Sequence, residues 1–375
     1  MGEERFEIVF AGGGTGGHLY PALAVADELR RRHPGSRILF VGSRRGIENR
    51  LVPAAGFALR TLALSGIKGA GPWARLTGVL MAGWAVLRSL AFMLGRRPDL
   101  VIGMGGYASG PAVLAAQLLG VKTLVMEQNH YPGATNRFLA RRADTVCVPS
   151  EEARRRLDEL GVARGRVLVT GNPVRREFAA IGEPKVEAVL SVLVFGGSRG
   201  ARSINRAMVE AIPLLAGVEP VPRVVHQTGA DDLAQVAEAY RRHYPPERFE
   251  VHPFLDDMPA RFARADLVVC RAGATTLSEL AAAGRPAILV PYAFAADDHQ
   301  RLNAEAVRDS GGAIVVLDRD LAGRTIAALI RELGTDPGRL RDMGRAVRSL
   351  ARPDATERIA EAAEALLARR AAAGR

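Results

Sequence analysis

The chain is 375 residues long, 48% apolar and only 5% aromatic, with two cysteines and a formal net charge of +11. That length exceeds one ordinary compact core and predicts two domains, and the apolar fraction excludes a mostly disordered protein. The positive balance calls for an anionic partner. Few aromatics and no nucleic-acid module signature turn the reading from nucleic acid toward an acidic membrane surface or a polyanionic substrate, with an arginine-rich genome as the plain alternative.

Met1-Gly-Glu-Glu-Arg-Phe6 carries acidic residues where a secretory leader would be basic, and Cys147 and Cys270 stand alone in apolar runs. Both features predict a cytosolic protein with buried free thiols.

In chain order, strand-like runs at 6–11, 37–41, 99–103, 122–126, 145–148 and 166–169 alternate with helical patterns at 19–32, 73–94, 109–119, 133–141 and 151–160. This is the signature of a parallel, doubly wound sheet. After a polar stretch at 172–187 a second series begins, with strands at 189–195, 222–227, 266–270, 286–291 and 313–317 and helices at 201–214, 231–241, 274–283 and 300–309. Both series open as strand, glycine turn and helix, which predicts two Rossmann-like domains facing each other across a cleft. The last segment, from Pro353 to about Arg370, reads as an amphipathic helix with Asp354 as its N-cap.

The first turn is Gly12-Gly-Gly-Thr-Gly-Gly-His18. Its free backbone N–H groups and the following helix N-terminus suit a phosphate, a carboxylate or sugar oxygens. A dinucleotide site would place an acidic residue after the second strand, where this chain has Gly42-Ser43, so a nicotinamide cofactor is disfavoured. His18 faces the ligand, and the positive helix end favours a neutral ring able to accept a proton; a capping histidine without chemistry is the simpler alternative.

Met104-Gly-Gly-Tyr-Ala-Ser-Gly-Pro111 is a second glycine turn, and Glu127-Gln-Asn129 follows the next strand. Tyr107, Ser109, Gln128 and Asn129 are therefore candidate contacts for a polar acceptor. Between Asn49 and Pro98 there is no acidic residue, while Arg50, Arg60, Lys68, Arg75, Arg88, Arg96 and Arg97 supply positive charge. Within it, the apolar run from Trp73 to Leu94 is interrupted by Arg75 and Arg88, and its uncharged core of 12 residues is too short for a bilayer core of about 30 Å. It reads as a helix lying on an anionic membrane, with Trp73, Leu80, Trp84, Arg75 and Arg88 as contacts.

In the second half, Ser198 in Gly196-Gly-Ser-Arg-Gly-Ala201 and Arg175 in Gly171-Asn-Pro-Val-Arg175 suit a diphosphate. Glu279, early in the helix after Cys270-Arg-Ala-Gly273, can accept two hydrogen bonds from a ribose diol. Asp297, Asp298, His299 and Gln300 suit sugar hydroxyls. Asp318-Arg-Asp320 is a D-x-D, but Asp320 reads as a helix cap, and no cluster in the sequence has metal-ligand spacing.

Taken in order, these motifs together with Ser278-Glu279, His299-Gln300 and Pro353-Asp-Ala-Thr-Glu-Arg358 resemble the MurG family of peptidoglycan glycosyltransferases over nearly the whole chain. The resemblance implies a GT-B fold with an acceptor and membrane-binding domain at 1–173, joined by a returning helix at 352–375, and a UDP-sugar domain at 174–351. It implies transfer of N-acetylglucosamine from UDP-N-acetylglucosamine, with inversion, to the C4 hydroxyl of undecaprenyl-diphosphate-linked N-acetylmuramyl-pentapeptide (lipid I), yielding lipid II. Donor contacts implied are Thr15, Gly16, Gly17, Asn129, Arg175, Ser198, Leu255 through its backbone to uracil, Ala274, Thr275, Thr276, Leu277, Ser278, Glu279 on the ribose, and Gln300. His18 becomes the base candidate, no cofactor or metal is required, and the expected location is the cytoplasmic face of the bacterial membrane, beside other cell-wall synthesis proteins. The family's second sugar-contact glutamine is matched by His299. A UDP-N-acetylglucosamine epimerase of the same architecture and a non-catalytic sugar-nucleotide binder are the alternatives.

Overall fold

The computed structural model describes residues 5–44, 46–62, 72–106, 108–183, 188–197 and 200–373, with the side chains at 62, 72–80, 296 and 371–373 outside that description. The chain divides into two compact units, Met1–Val174 with Arg352–Arg375, and Arg175–Ala351.

The first unit holds strands β1 (Glu7–Ala11), β2 (Arg37–Ser43), β3 (Ala58–Leu62), β4 (Leu100–Gly103), β5 (Lys122–Met126), β6 (Thr145–Val148) and β7 (Val167–Val169). They form one parallel sheet in the order β3-β2-β1-β4-β5-β6-β7. Ile8 and Phe10 point to one face, where Phe10 stacks on Phe40 at 5.0 Å, and Val9 and Ala11 point to the other. Both faces are buried, which explains why β1 reads as an uninterrupted apolar run. The first face is covered by helix Gly16–Arg32 and by the returning helix Ala355–Ala373, whose Ile359, Leu366 and Leu367 join the same core. Glu364 of that helix binds Arg32 and His33, each at 2.9 Å. Helices Pro72–Arg96 and Ser109–Leu118 cover the second face through Phe92, Met93, Ala112 and Ala116.

The second unit repeats the plan with β8 (Ser191–Phe195), β9 (Arg223–Gln227), β10 (Phe249–His252), β11 (Leu267–Cys270), β12 (Ala287–Leu289) and β13 (Ala313–Val315). These too are all parallel, in the order β10-β9-β8-β11-β12-β13. In each sheet the first strand lies in the middle, the next two step outward one way, and the fourth returns to the other side. Loops leaving the carboxyl ends of β1 and β4, and of β8 and β11, therefore diverge at a topological switch point, where this fold class binds ligands.

The strands β3 and β10 were not anticipated. Both are sheet edges interrupted by polar residues (the adjacent Arg60 and Thr61; Glu250 and His252 at alternate positions), so they lack the continuous apolar run that marked the inner strands. The helix expected to begin at His18 or Leu19 begins at Gly16, which puts His18 inside its first turn.

Candidate functional site

At the first switch point the turn after β1 and the turn after β4 pack against each other. Gly105 has φ +88°, and a Cβ built there would lie 2.7 Å from His18 Nδ1, so only a glycine leaves room for the ring. His18 Nδ1 is 3.0 Å from Gln128 Oε1. The Gln128 amide nitrogen donates to Met104 O at 3.4 Å and Met126 O at 3.3 Å. The half-buried imidazole is thus clamped between two glycine turns and a buried glutamine.

A residue the motifs did not mark supports this turn. Glu48 is fully buried, and its carboxylate accepts Gly14 N–H at 2.9 Å, Ser43 N–H at 2.8 Å and the Ser43 hydroxyl at 2.8 Å. A dinucleotide fold has its ribose-binding acid at the position of Gly42-Ser43; here the acidic residue lies five positions after Ser43 and holds the glycine turn. Glu127 acts likewise on the third loop, accepting the backbone N–H groups of Gln128 and Asn129 and, on its other oxygen, Gly133 N–H and the Asn136 amide.

Two expected acceptor contacts need correction. Gln128 is 3% exposed, and its side-chain amide is spent on His18 and two carbonyls, so it positions the histidine and does not face an acceptor. Ser109 is completely buried at the start of its helix, tucked beneath Gly103, and cannot reach a ligand from there. Tyr107 lies outside the described residues. Thr15, Gly17 and part of Gly16 are accessible at the helix start, and Asn129 is partly exposed with its amide on Glu127 at 3.1 Å.

At the second switch point Gly200 (φ +74°) presses so closely on Thr228 O, 1.9 Å from a would-be Cβ, that a side chain is excluded. Ser198 is outside the described residues. Gln227, buried at the end of β9, ties the glycine turn to the expected donor contact Leu255: its amide donates to Gly197 O at 2.8 Å and its oxygen accepts Leu255 N–H at 2.9 Å. The Leu255 N–H is therefore spent internally, and its carbonyl is the backbone group left for a base. Helix Arg202–Ala216 begins directly after this turn and aims its dipole at it.

Glu279 lies in helix Ala274–Ala283, and burial raises its carboxyl to about 7, against the opposing pull of Arg175. Arg175 Nη2 is 3.2 Å from Glu279 Oε1 and its guanidinium lies 4.8 Å over the Phe178 ring. Arg175, expected to face a diphosphate, is partly exposed and pairs with the ribose candidate Glu279. Of the 274–279 segment, Ala274, Thr276 and Ser278 are partly exposed, with the Ser278 hydroxyl donated to Ala274 O, while Thr275 and Leu277 are buried. Gln300 accepts Tyr292 N–H at 3.0 Å, turning its amide nitrogen the other way.

Asp318 is occupied by Arg271 Nη1 at 2.8 Å and by the Ser203 hydroxyl at 2.9 Å. Asp320 does not cap the next helix, which begins at Gly323 with that N–H held by Glu210. Cys147 and Cys270 are buried free thiols, their acidity suppressed by burial.

On helix Pro72–Arg96 the side chains of Trp73, Arg75 and Leu80 lie outside the described residues. Beyond them, Met81, Trp84, Leu87 and Leu94 are 49–61% exposed at helical spacing, with Arg88 beside them. This is a contiguous apolar stripe on a helix whose other face fills the core. No helix among the described residues is long and apolar enough to cross a membrane.

The glycosyltransferase family 28 N-terminal domain matches residues 8–148, and the C-terminal domain of the same family matches 191–359. A relative from Geotalea uraniireducens (strain Rf4), named UDP-N-acetylglucosamine–N-acetylmuramyl-(pentapeptide) pyrophosphoryl-undecaprenol N-acetylglucosamine transferase, is 44% identical over 362 residues, 95% of this chain and 97% of its own. The crystal structure of Acinetobacter baumannii MurG is similar at 30% identity and a TM-score of 0.73, over 96% of this chain and 99% of that one. A UDP-GlcNAc 2-epimerase from Neisseria meningitidis, bound to UDP-GlcNAc, shares the fold at 14% identity and a TM-score of 0.67, over 96% of this chain and 99% of that one.

The carboxyl of Glu279 yields a prediction on stability. Its folded value of about 7 lies above the ordinary 4.5, so its ionisation is penalised only in the fold, and its contribution to stability is lost as pH rises through that window. Denaturant unfolding of Glu279→Gln and wild type between about pH 5 and about pH 8 should show the difference moving in the variant's favour as pH rises.

Proposed function

The chain belongs to glycosyltransferase family 28, and from that premise we propose that it transfers N-acetylglucosamine from UDP-N-acetylglucosamine to the muramyl C4 hydroxyl of undecaprenyl-diphosphate-linked N-acetylmuramyl-pentapeptide, with inversion, in peptidoglycan synthesis. Two Rossmann-type units in one chain are the GT-B architecture. The observation that carries the reading is the 44% identity over 95% of the chain to a relative named for this transfer. The epimerase likeness is one of fold alone.

The chemistry follows from the residues. His18 lies in the first turn of its helix, one ring nitrogen held at Gln128. Its other nitrogen takes the proton of the C4 hydroxyl as that oxygen attacks the anomeric carbon on the face opposite UDP. The bond from the anomeric carbon to the phosphate oxygen breaks, and the electron pair leaves with UDP. The glycine turn at 196–201, Ser198 and the helix that follows receive the developing charge. This scheme assigns that charge to protein groups and includes no metal or cofactor. Glu279, steered by Arg175, takes the ribose diol, and the Leu255 carbonyl takes the base.

A lipid-borne acceptor also gives the exposed stripe of Met81, Trp84, Leu87 and Leu94 a role: it lies on the cytoplasmic leaflet with Arg88 toward anionic headgroups.

Labelled UDP-N-acetylglucosamine with a lipid I analogue should yield labelled disaccharide-lipid, and donor alone should yield no epimer. His18→Ala at saturating acceptor should lose roughly 10²- to 10⁴-fold in turnover, and near-normal turnover would remove the base assignment. In flotation with anionic vesicles, a Trp84→Ser/Leu87→Ser variant should bind more weakly than wild type; equal binding would rule out the stripe.

A further inference from the structure

We infer that Gln128 is the positioning residue of the transfer step: its carbonyl oxygen holds the His18 ring as the Nδ1–H tautomer and so leaves Nε2 unprotonated. The inference rests on the reading of His18 as the base and names what makes it one.

The polarity of the bond is fixed by its surroundings. An imidazole nitrogen 3.0 Å from Gln128 Oε1 must be the donor, because a carboxamide oxygen only accepts. The amide orientation follows from its other end. Gln128 Nε2 faces two carbonyl oxygens, Met104 O and Met126 O, and exchanging the two amide atoms would set three acceptors against one another. The glutamine cannot swing away either. Its own N–H is held by Glu127 Oε1 at 2.9 Å, its carbonyl by the Asn172 amide at 2.8 Å, and its side chain is 3% exposed.

The consequence is chemical. An unrestrained neutral imidazole side chain prefers the proton on Nε2, which would leave the only lone pair on Nδ1, facing the protein interior. Gln128 reverses that preference, placing the proton inward and the lone pair on the ring's other nitrogen. Gly105 enforces the same arrangement sterically, since any side chain there would push Nδ1 off the glutamine. Because Gln128 touches no substrate in this scheme, removing it should lower the rate constant of the chemical step and leave donor binding unaltered.

The test uses full-length enzyme with ¹⁵N-labelled histidine, the His18 signals being identified by their loss in His18→Asn. Wild type should show a protonated Nδ1 and an unprotonated Nε2. Gln128→Leu should shift His18 toward the Nε2–H form, with kcat reduced roughly tenfold or more and donor KM little changed. Gln128→Met, of similar length and without an oxygen facing Nδ1, should shift the tautomer and lower kcat in the same way, and serves as the second variant if the leucine enzyme folds poorly by thermal unfolding. An Nε2–H ring in wild type, an unchanged tautomer in folded Gln128→Leu, or a shifted tautomer with full kcat would each overturn the proposal. Normal turnover in His18→Ala would instead defeat the base assignment while leaving the tautomer spectra as expected, so the two failures are distinguishable.

Discussion

The base role proposed for His18 demands that one ring nitrogen be held and the other be left open, and the turns of the first unit meet that constraint. The ring sits in the first turn of a helix, so its backbone is fixed by β1 and by the helix itself. Its inner nitrogen needs an acceptor, and Gln128 arrives from β5, the second strand over in the sheet. The strand between them, β4, must therefore pass its own loop beneath the ring, which is why Gly105 has no side chain. Three neighbouring strands of one parallel sheet each supply one component. Glu48 and Glu127 then hold the first and third loops from behind by accepting backbone N–H groups that would otherwise be unsatisfied.

The second unit uses the same topology for a different purpose. Its glycine turn precedes a helix of fifteen residues, a fixed positive end suited to a leaving diphosphate. Gln227 links that turn to Leu255, so the groups assigned to the diphosphate and to the base are mechanically joined by one buried side chain. The Arg175–Glu279 pair adds a carboxylate whose charge is set by competition between burial and a single guanidinium.

Much of this was legible in the sequence, because inner strands of a parallel sheet are buried on both faces and the glycine turns follow them directly. His18, the two glycine turns and Glu279 stood out by position relative to those runs, while the return of the last helix to the first unit was implied by the family resemblance alone. What escaped notice depends on distance in space. Glu48 follows an ordinary loop, and nothing in its neighbours announces that it folds back under Gly14. Gln128 and Ser109 follow strands as ligand-binding residues do, yet both turn inward, since a residue just past a strand end can face either the ligand edge or the core. Arg175 was matched to a diphosphate by its charge and by the family resemblance, and its ion pair with Glu279 was not legible because that carboxylate lies more than a hundred residues away. The edge strands β3 and β10 are short and broken by polar residues, which makes them resemble loop.

The most direct test of the account is Gly105→Ala, which adds one methyl group where the structure allows none: 2.7 Å from His18 Nδ1, at φ +88°. Steady-state transfer should fall roughly 10²-fold through displacement of the imidazole, while UDP binding and the folded state, followed by calorimetry and circular dichroism, persist. A folded Gly105→Ala enzyme with wild-type kcat would show that the clamped geometry of His18 is not what the reaction depends on.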